Sequence, residues 1–363
     1  MTAAIEFRNV SKLYHRQELL KNLNLKIEAG QFAVVLGAPG CGKSVILRLL
    51  TGLEKPTSGE ICLRNINAEK MSPGERNIGY IPQSFALYPH YKIYDNIAYP
   101  LKLSGTPKPE IDRVVRQTAE MLHITKLLNK TPDQLSGGEK QRVAIARGIA
   151  KKTDIFVFDD PLTGLDFKLR EQLFDDLKNM QDTLKATFVY TTSDALEALI
   201  LARYISILYD GTCVESGELE PVYALPSNAH TMEILGFPKA NIITGKLIKK
   251  DGQDFCQTAI FTFPVRLDQP ASDSVTVGFR SQNLIMNASA NNGLVTNKAQ
   301  ILLKEDLGGE LVVHLLVNDH KLTSVIRHDE IRDLSEDSTT IGLKPSDALV
   351  FEPTTGRRIG RGA

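Results

Sequence analysis

The chain has 363 residues, enough for two domains, and its 42% hydrophobic and 24% charged content is that of an ordinary globular protein. Its 43 basic and 43 acidic residues cancel, which argues against a general nucleic-acid binder, because such proteins carry a basic excess. Four cysteines, Cys41, Cys62, Cys213 and Cys256, form no C-x-x-C pair; that excludes the common zinc and dithiol motifs and fits a reducing compartment.

The opening residues Met1-Thr2-Ala3-Ala4-Ile5-Glu6 have neither a basic n-region nor an apolar h-region, so no secretory signal is expected. No apolar run approaches bilayer length. The longest, at 195–209, is broken by Glu197 and Arg203. Work at a membrane would require docking onto other subunits.

In chain order, residues 5–10 alternate and predict an opening strand, followed by a second at 25–28 with Ala29-Gly30 as a turn. Residues 32–36, Phe-Ala-Val-Val-Leu, form a continuous apolar run that suits a strand buried on both faces. A glycine-rich loop opens at Gly37, and a helix is expected from about 43 to 53. Residues 88–150 read as helical, with Ile111, Val114, Val115, Ala119, Leu122 and Ile124 near the spacing of one helix face. Further strands are expected at 155–158, 188–190 and 205–209, with helices at 168–183 and 195–202. Alternation of this kind implies a largely parallel sheet in an α/β nucleotide-binding domain.

The pattern changes near Gly236-Phe237-Pro238. Short strands are expected beyond it, at 242–248, 260–265, 275–279, 299–304, 311–316 and 322–326, with Asp251-Gly252 as a hairpin turn. The predicted organisation is an α/β P-loop domain over 1–236, with a helical subdomain at about 84–150, and a small all-β, barrel-like domain over 237–363.

Gly37-Ala38-Pro39-Gly40-Cys41-Gly42-Lys43-Ser44, with Val45 after it, fits the P-loop pattern in its strand–loop–helix setting. Glycines let backbone amides turn toward phosphate oxygens, and the helix N-terminus adds its positive dipole end. Lys43 is placed to neutralise β and γ phosphates, and the Ser44 hydroxyl to ligate Mg2+. Asp159 ends the buried strand Ile155-Phe156-Val157-Phe158, where a carboxylate holds the Mg2+ shell of an ATP site.

Leu135-Ser136-Gly137-Gly138-Glu139-Lys140-Gln141-Arg142, just upstream of that strand, closely resembles the signature motif of ATP-binding cassette (ABC) proteins. The resemblance implies a second phosphate cradle that acts on ATP held by a partner cassette. It also implies that Tyr14 stacks on adenine, that Gln83 senses Mg2+ and the γ phosphate, and that Asp166 belongs to the loop crossing to the opposing site. Ser84-Phe85-Ala86-Leu87-Tyr88-Pro89-His90, Glu75-Arg76-Asn77-Ile78, Asp95-Asn96-Ile97-Ala98 and Gly278-Phe279-Arg280 resemble the carbohydrate-importer group of maltose type, whose C-terminal domain is an OB-like barrel. For that group the resemblance implies a second ATPase subunit, two permease subunits, an extracytoplasmic solute-binding protein, a peripheral place on the cytoplasmic face of the inner membrane, and no nucleic-acid partner. Residues 83–94 would face the permeases.

Two positions depart from the family pattern. Asp160 stands where a glutamate polarises the attacking water, and Ser193 where a histidine contacts the γ phosphate. A base must first reach its water, and loss of a general base costs about 10²–10⁴-fold. Both departures fall on the same phosphate. The expectation is a site that binds ATP but turns it over weakly, paired with a different, active ATPase subunit. A fully active homodimeric importer, a soluble ABC ATPase without a permease and a P-loop kinase are the competing readings. The signature motif argues against the kinase.

Overall fold

The computed structural model describes residues 2–289, 293–327 and 337–363, which divide into two compact units, 1–219 and 220–363.

The first unit opens with two long strands, β1 (Ala3–Tyr14) and β2 (Gln17–Glu28), then β3 (Phe32–Leu36) and the helix α1 (Lys43–Thr51). Strands β4 (Ser58–Leu63), β5 (Ile66–Asn67) and β6 (Gly79–Ile81) follow, then helices α2 (Ile93–Leu103), α3 (Lys108–Met121) and α4 (Gly137–Ile149). The unit continues with β7 (Ile155–Asp159), α5 (Phe167–Leu184), β8 (Thr187–Thr192), α6 (Ala195–Leu201), β9 (Tyr204–Tyr209) and β10 (Thr212–Glu218).

Two sheets result. One is antiparallel, in the order β2-β1-β4-β5; the other runs β10-β9-β3-β8-β7-β6. In the second, β9, β3, β8, β7 and β6 are parallel and β10 is an antiparallel edge. Strands β3, β7 and β8 are buried throughout, as continuous apolar runs require when both faces are covered. Phe32, Phe156, Phe158, Phe188 and Tyr190 stack through one face of the sheet, with centroids 5.1–6.4 Å apart. Residues of β1, β2, β3, α1 and β4 share one apolar core.

The helical expectation over 88–150 is corrected in part. Residues 84–92 are irregular, and helix begins at Ile93. Asn96 explains the break. Its side-chain amide donates to the carbonyls of Tyr88, Tyr91 and Lys92, and its oxygen accepts from the Tyr88 amide at 2.8 Å. These bonds fold the loop over the first turn of α2. Helix α1 stops two residues before the expected 53, at Gly52 with φ +78°, a left-handed cap suited to glycine.

The second unit holds α7 (Leu219–Ala224), most of which lies past the division, and α8 (Ala229–Ile234). Then come β11 (Asn241–Lys250), β12 (Gln253–Thr258), β13 (Thr262–Leu267), β14 (Ser274–Phe279), β15 (Leu284–Ile285), β16 (Val295–Asp306), β17 (Glu310–Val317), β18 (His320–Arg327), β19 (Ser338–Leu343), β20 (Leu349–Phe351) and β21 (Arg358–Gly362). Strands β11-β12-β13-β21-β20-β14 close a barrel, and β15-β19-β16-β17-β18 form a five-stranded sheet. The fold class read from the sequence therefore holds, with a second sheet added to the barrel.

The unit boundary lies at 219/220, upstream of the 236/237 division read from the sequence. Helix α8 packs on β14, and its Met232 joins Leu349 and Phe351 in a small apolar cluster of the β unit. Buried Arg280 adds hydrogen bonds to the carbonyls of Tyr223, Met232 and Leu235. The helices that precede the change in sequence character thus pack with the unit that follows it.

Candidate active site

Strands β3, β8, β7 and β6 are neighbours and parallel, so the segments leaving their carboxyl ends emerge along one edge of the sheet. Those segments carry the P-loop after β3, Ser193 after β8, Asp159 and Asp160 at the end of β7, and Gln83 after β6.

The P-loop bends through Gly40 at φ +81° and Gly42 at φ +109°. A Cβ on Gly42 would come within 2.7 Å of Leu20 and 3.2 Å of the Leu19 carbonyl, so the turn requires glycine. The first intrahelical bond of α1 runs from the Ile46 amide to the Gly42 carbonyl at 3.0 Å. The amides of Gly42, Lys43, Ser44 and Val45 precede it, and no side chain caps them. The buried Lys43 ammonium folds back over the loop and donates to the carbonyls of Gly37 at 2.6 Å and Ala38 at 3.1 Å. Four amides and an ammonium thus converge at one helix start, a donor set matched to phosphate oxygens. Ala38 and Pro39 form the exposed outer bend of this loop. Burial pushes the Cys41 thiol above its ordinary range, which keeps it protonated.

The Ser44 hydroxyl donates to Asp159 Oδ1 at 3.0 Å, which brings together the two oxygen groups assigned to Mg2+. Thr191 donates to the same oxygen at 3.2 Å, and Tyr80 to Oδ2 at 3.3 Å. Burial and the neighbouring carboxylate raise the Tyr80 phenol to about 12. A hydroxyl and a carboxylate at hydrogen-bond distance, facing a phosphate cradle, suit a hard cation that takes its other ligands from phosphate and water.

Asp160 adopts φ +46°, and its amide donates to the Thr191 carbonyl at 3.1 Å. Its Oδ1 accepts from the Thr163 hydroxyl at 2.8 Å. Ser193 and Gln83 are both exposed, and their side chains make no hydrogen bond among the described residues.

Tyr14 ends β1 half-buried. Its hydroxyl donates to Glu54, which pairs with Arg48 of α1 at 3.1 Å and with Lys12 at 3.3 Å. The Lys12 ammonium lies 4.9 Å from the Tyr14 ring centroid. The ring is thereby tied to the helix that follows the P-loop.

The signature residues form a different construction. Ser136 caps α4: its hydroxyl accepts from the Glu139 amide at 3.3 Å, and Glu139 accepts from the Ser136 amide at 2.8 Å. Gly137 faces open space, whereas a Cβ on Gly138 would lie 1.9 Å from Leu169. Asp166 caps α5 through the Leu169 amide at 3.0 Å. No hydrogen bond joins Ser136, Glu139 or Asp166 to the P-loop among the described residues.

Sequence reasoning missed Tyr80 and Thr191. A hydroxyl one strand over from an acid shows no period or spacing, so only the strand register identifies them.

The ABC transporter family profile matches residues 20–163. The maltose/maltodextrin import ATP-binding protein of Photorhabdus laumondii is 35% identical, with 96% of this chain and 95% of that protein aligned. The chain belongs to the ABC transporter family. It is an ABC ATPase of the maltose-importer type. The sn-glycerol-3-phosphate import ATP-binding protein of Yersinia pseudotuberculosis is 32% identical over 98% of this chain and 99% of its own length. The trehalose/maltose import ATP-binding protein of Thermococcus litoralis is 33% identical over 98% and 100%. Among solved structures, a dimeric ATP-binding cassette in a post-hydrolysis state bound to ADP and Pi aligns with TM-score 0.55 and 31% identity, over 60% of this chain and 99% of that one. No described helix of this ABC cassette is long and apolar enough to cross a membrane.

Proposed function

We propose that the chain is the ATP-binding subunit of an importer, where it couples ATP binding and hydrolysis to uptake of a sugar, a polyol or a related solute. The observation that carries this reading is the assembly of Lys43, Ser44 and Asp159 beneath the uncapped amides of α1. On this reading the amides of 42–45 and the Lys43 ammonium hold the β and γ phosphates. Tyr14 stacks on adenine. Ser44 and Asp159, with Gln83, hold Mg2+, which supplies charge neutralisation at the phosphates. Ser136, Gly137, Gly138, Glu139 and Asp166 serve nucleotide held by the partner cassette.

Closure of the two cassettes would be passed to two permease subunits through residues 83–94, where Tyr88 and Tyr91 are exposed. Arg147 fastens that segment by donating to the carbonyls of Phe85 and Ala86. An extracytoplasmic protein would deliver the solute, and the chain would sit peripherally on the cytoplasmic face of the inner membrane.

The chain's own site turns ATP over weakly on this reading. Asp160 is one methylene shorter than the family's glutamate, and its carboxylate already accepts from Thr163. Ser193 has neither the reach nor the charge of an imidazole. The partner ATPase is then a different chain with Glu and His at these places. A second reading, two copies of this chain, is favoured by the solved neighbour described as a dimer of one cassette. Native mass spectrometry of the complex, purified through a tag on this chain, decides between them. One copy with one different ATPase and two permeases supports the asymmetric assembly. Two copies and no other ATPase overturn it.

A further inference from the structure

The β unit contains a basic cleft whose residues have no role in the ATP site described above. It measures about 330 Å³ and is lined by Leu225, Arg266, Asp268, Arg358, Gly360 and Arg361. We propose that this cleft binds a phosphate oxyanion, as inorganic phosphate or as the phosphate group of a small monoester.

The register of the barrel creates the site. Strands β13 and β21 pair antiparallel, and Arg266 stands directly opposite Arg361. Residues opposed in this way project from the same face, and like charges so placed repel. Neither side chain makes a hydrogen bond or ion pair among the described residues. Asp268 lines the same cleft, yet forms no ion pair with either arginine. Three positive groups therefore face one negative group, in a chain whose overall formal charge is zero.

Arg358 is held ready. Its Nη1 donates to the Leu225 carbonyl at 2.7 Å and to the Pro226 carbonyl at 2.9 Å, which fixes the guanidinium plane. Gly360 lets β21 lie close against β13 beside Arg266, because a Cβ there would lie 2.4 Å from the Arg266 carbonyl. Planar guanidinium forks match the oxygens of phosphate better than any other side chain does. The cleft lies at the small end of ligand-pocket volumes, which suits a phosphate or a small phosphate ester rather than a nucleotide.

Calorimetric titration of the full-length chain with inorganic phosphate, and separately with glycerol phosphate, tests the proposal against a potassium chloride control of equal ionic strength. The P-loop also attracts phosphate, so the titration is made in a Lys43→Ala background. Saturable binding is expected there, weakened at least about 10-fold when Arg266→Gln and Arg361→Gln are added. Equal affinity for the two ligands identifies free phosphate as a sufficient source, and tighter binding of glycerol phosphate identifies the ester; either supports the site. Absence of saturable binding in the Lys43→Ala background, or affinity unchanged by loss of both arginines, overturns it. Both arginines are exposed, so the doubly substituted chain should fold. In phosphate-free buffer it should melt no lower than the parent, because a like-charge pair has been removed, and it should lose the rise in melting temperature that phosphate gives the parent.

Discussion

The Thr163 hydroxyl donates to Asp160 Oδ1 at 2.8 Å, so the carboxylate that follows Asp159 is engaged by its own loop. A carboxylate already holding one donor, on a shorter stem, is poorly placed to polarise a water. Asp160→Glu together with Ser193→His is expected to raise ATP turnover by the assembled transporter, by up to the 10²–10⁴-fold range of a restored general base at this site. Steady-state phosphate release by the reconstituted complex measures it. No rise would mean that Asp160 and Ser193 are tolerated parts of a working site.

Lys43→Ala removes a buried ammonium from a loop whose amides have no other cationic neighbour in the P-loop sequence. Charge-assisted bonds of this kind contribute about 1.5–3 kcal/mol. ATP affinity should fall roughly 10–150-fold, read by titration with a fluorescent nucleotide. Melting temperature without nucleotide should change little, since the bonds to Gly37 and Ala38 tie one loop to itself.

The P-loop, the signature and the two carboxylates were legible because each is a short run of residues whose chemistry depends on local spacing. The edge on which Gln83, Asp159, Asp160 and Ser193 assemble follows once the buried runs at 32–36, 155–158 and 188–190 are read as neighbouring parallel strands. The β unit was less legible. Strand β21, Arg-Ile-Gly-Arg-Gly, has a single large apolar residue and no alternation, so nothing in its pattern marks it as a barrel strand. It is defined by its pairing with β13 and β20. Helices α7 and α8, which precede the change in sequence character at 236–238, pack with the β unit for a related reason. Their attachment depends on Arg280, some fifty residues further along.

Arg280 gives the Gly278-Phe279-Arg280 run a structural meaning. The buried guanidinium donates to carbonyls of Tyr223, Met232 and Leu235 and lies 4.0 Å from the Tyr223 ring centroid. Arg280→Ala leaves those carbonyls unsatisfied and should destabilise the β unit by about 3 kcal/mol, lowering its melting transition by roughly 10 °C. Arg280→Lys should recover only part of this, because an ammonium cannot reproduce the planar fork. Calorimetric scans of both variants, resolved by unit, give the comparison. A loss confined to the first unit would contradict the assignment of α7 and α8 to the second.

Glu197 supplies a pH dependence. It is buried, and its carboxylate accepts from Tyr190 at 2.8 Å and from Thr192 at 2.7 Å. Burial raises its pKa above the ordinary 4.5, outweighing those two hydroxyls, and the nearby Asp194 and Asp160 raise it further. Arg170, 3.8 Å away, is the facing cation. The folded chain therefore binds this proton more tightly than the unfolded chain does. The associated stability is fully present below pH 4.5 and is lost as pH rises through the raised folded value. Glu197→Gln keeps an acceptor and cannot ionise, so it should lack that loss. Denaturant titrations of the two proteins, stepped upward from pH 4.5, should show the variant gaining on the parent until the carboxylate is fully ionised. A difference that stays constant over that range would show that Glu197 does not titrate with folding, and that Arg170 balances its burial.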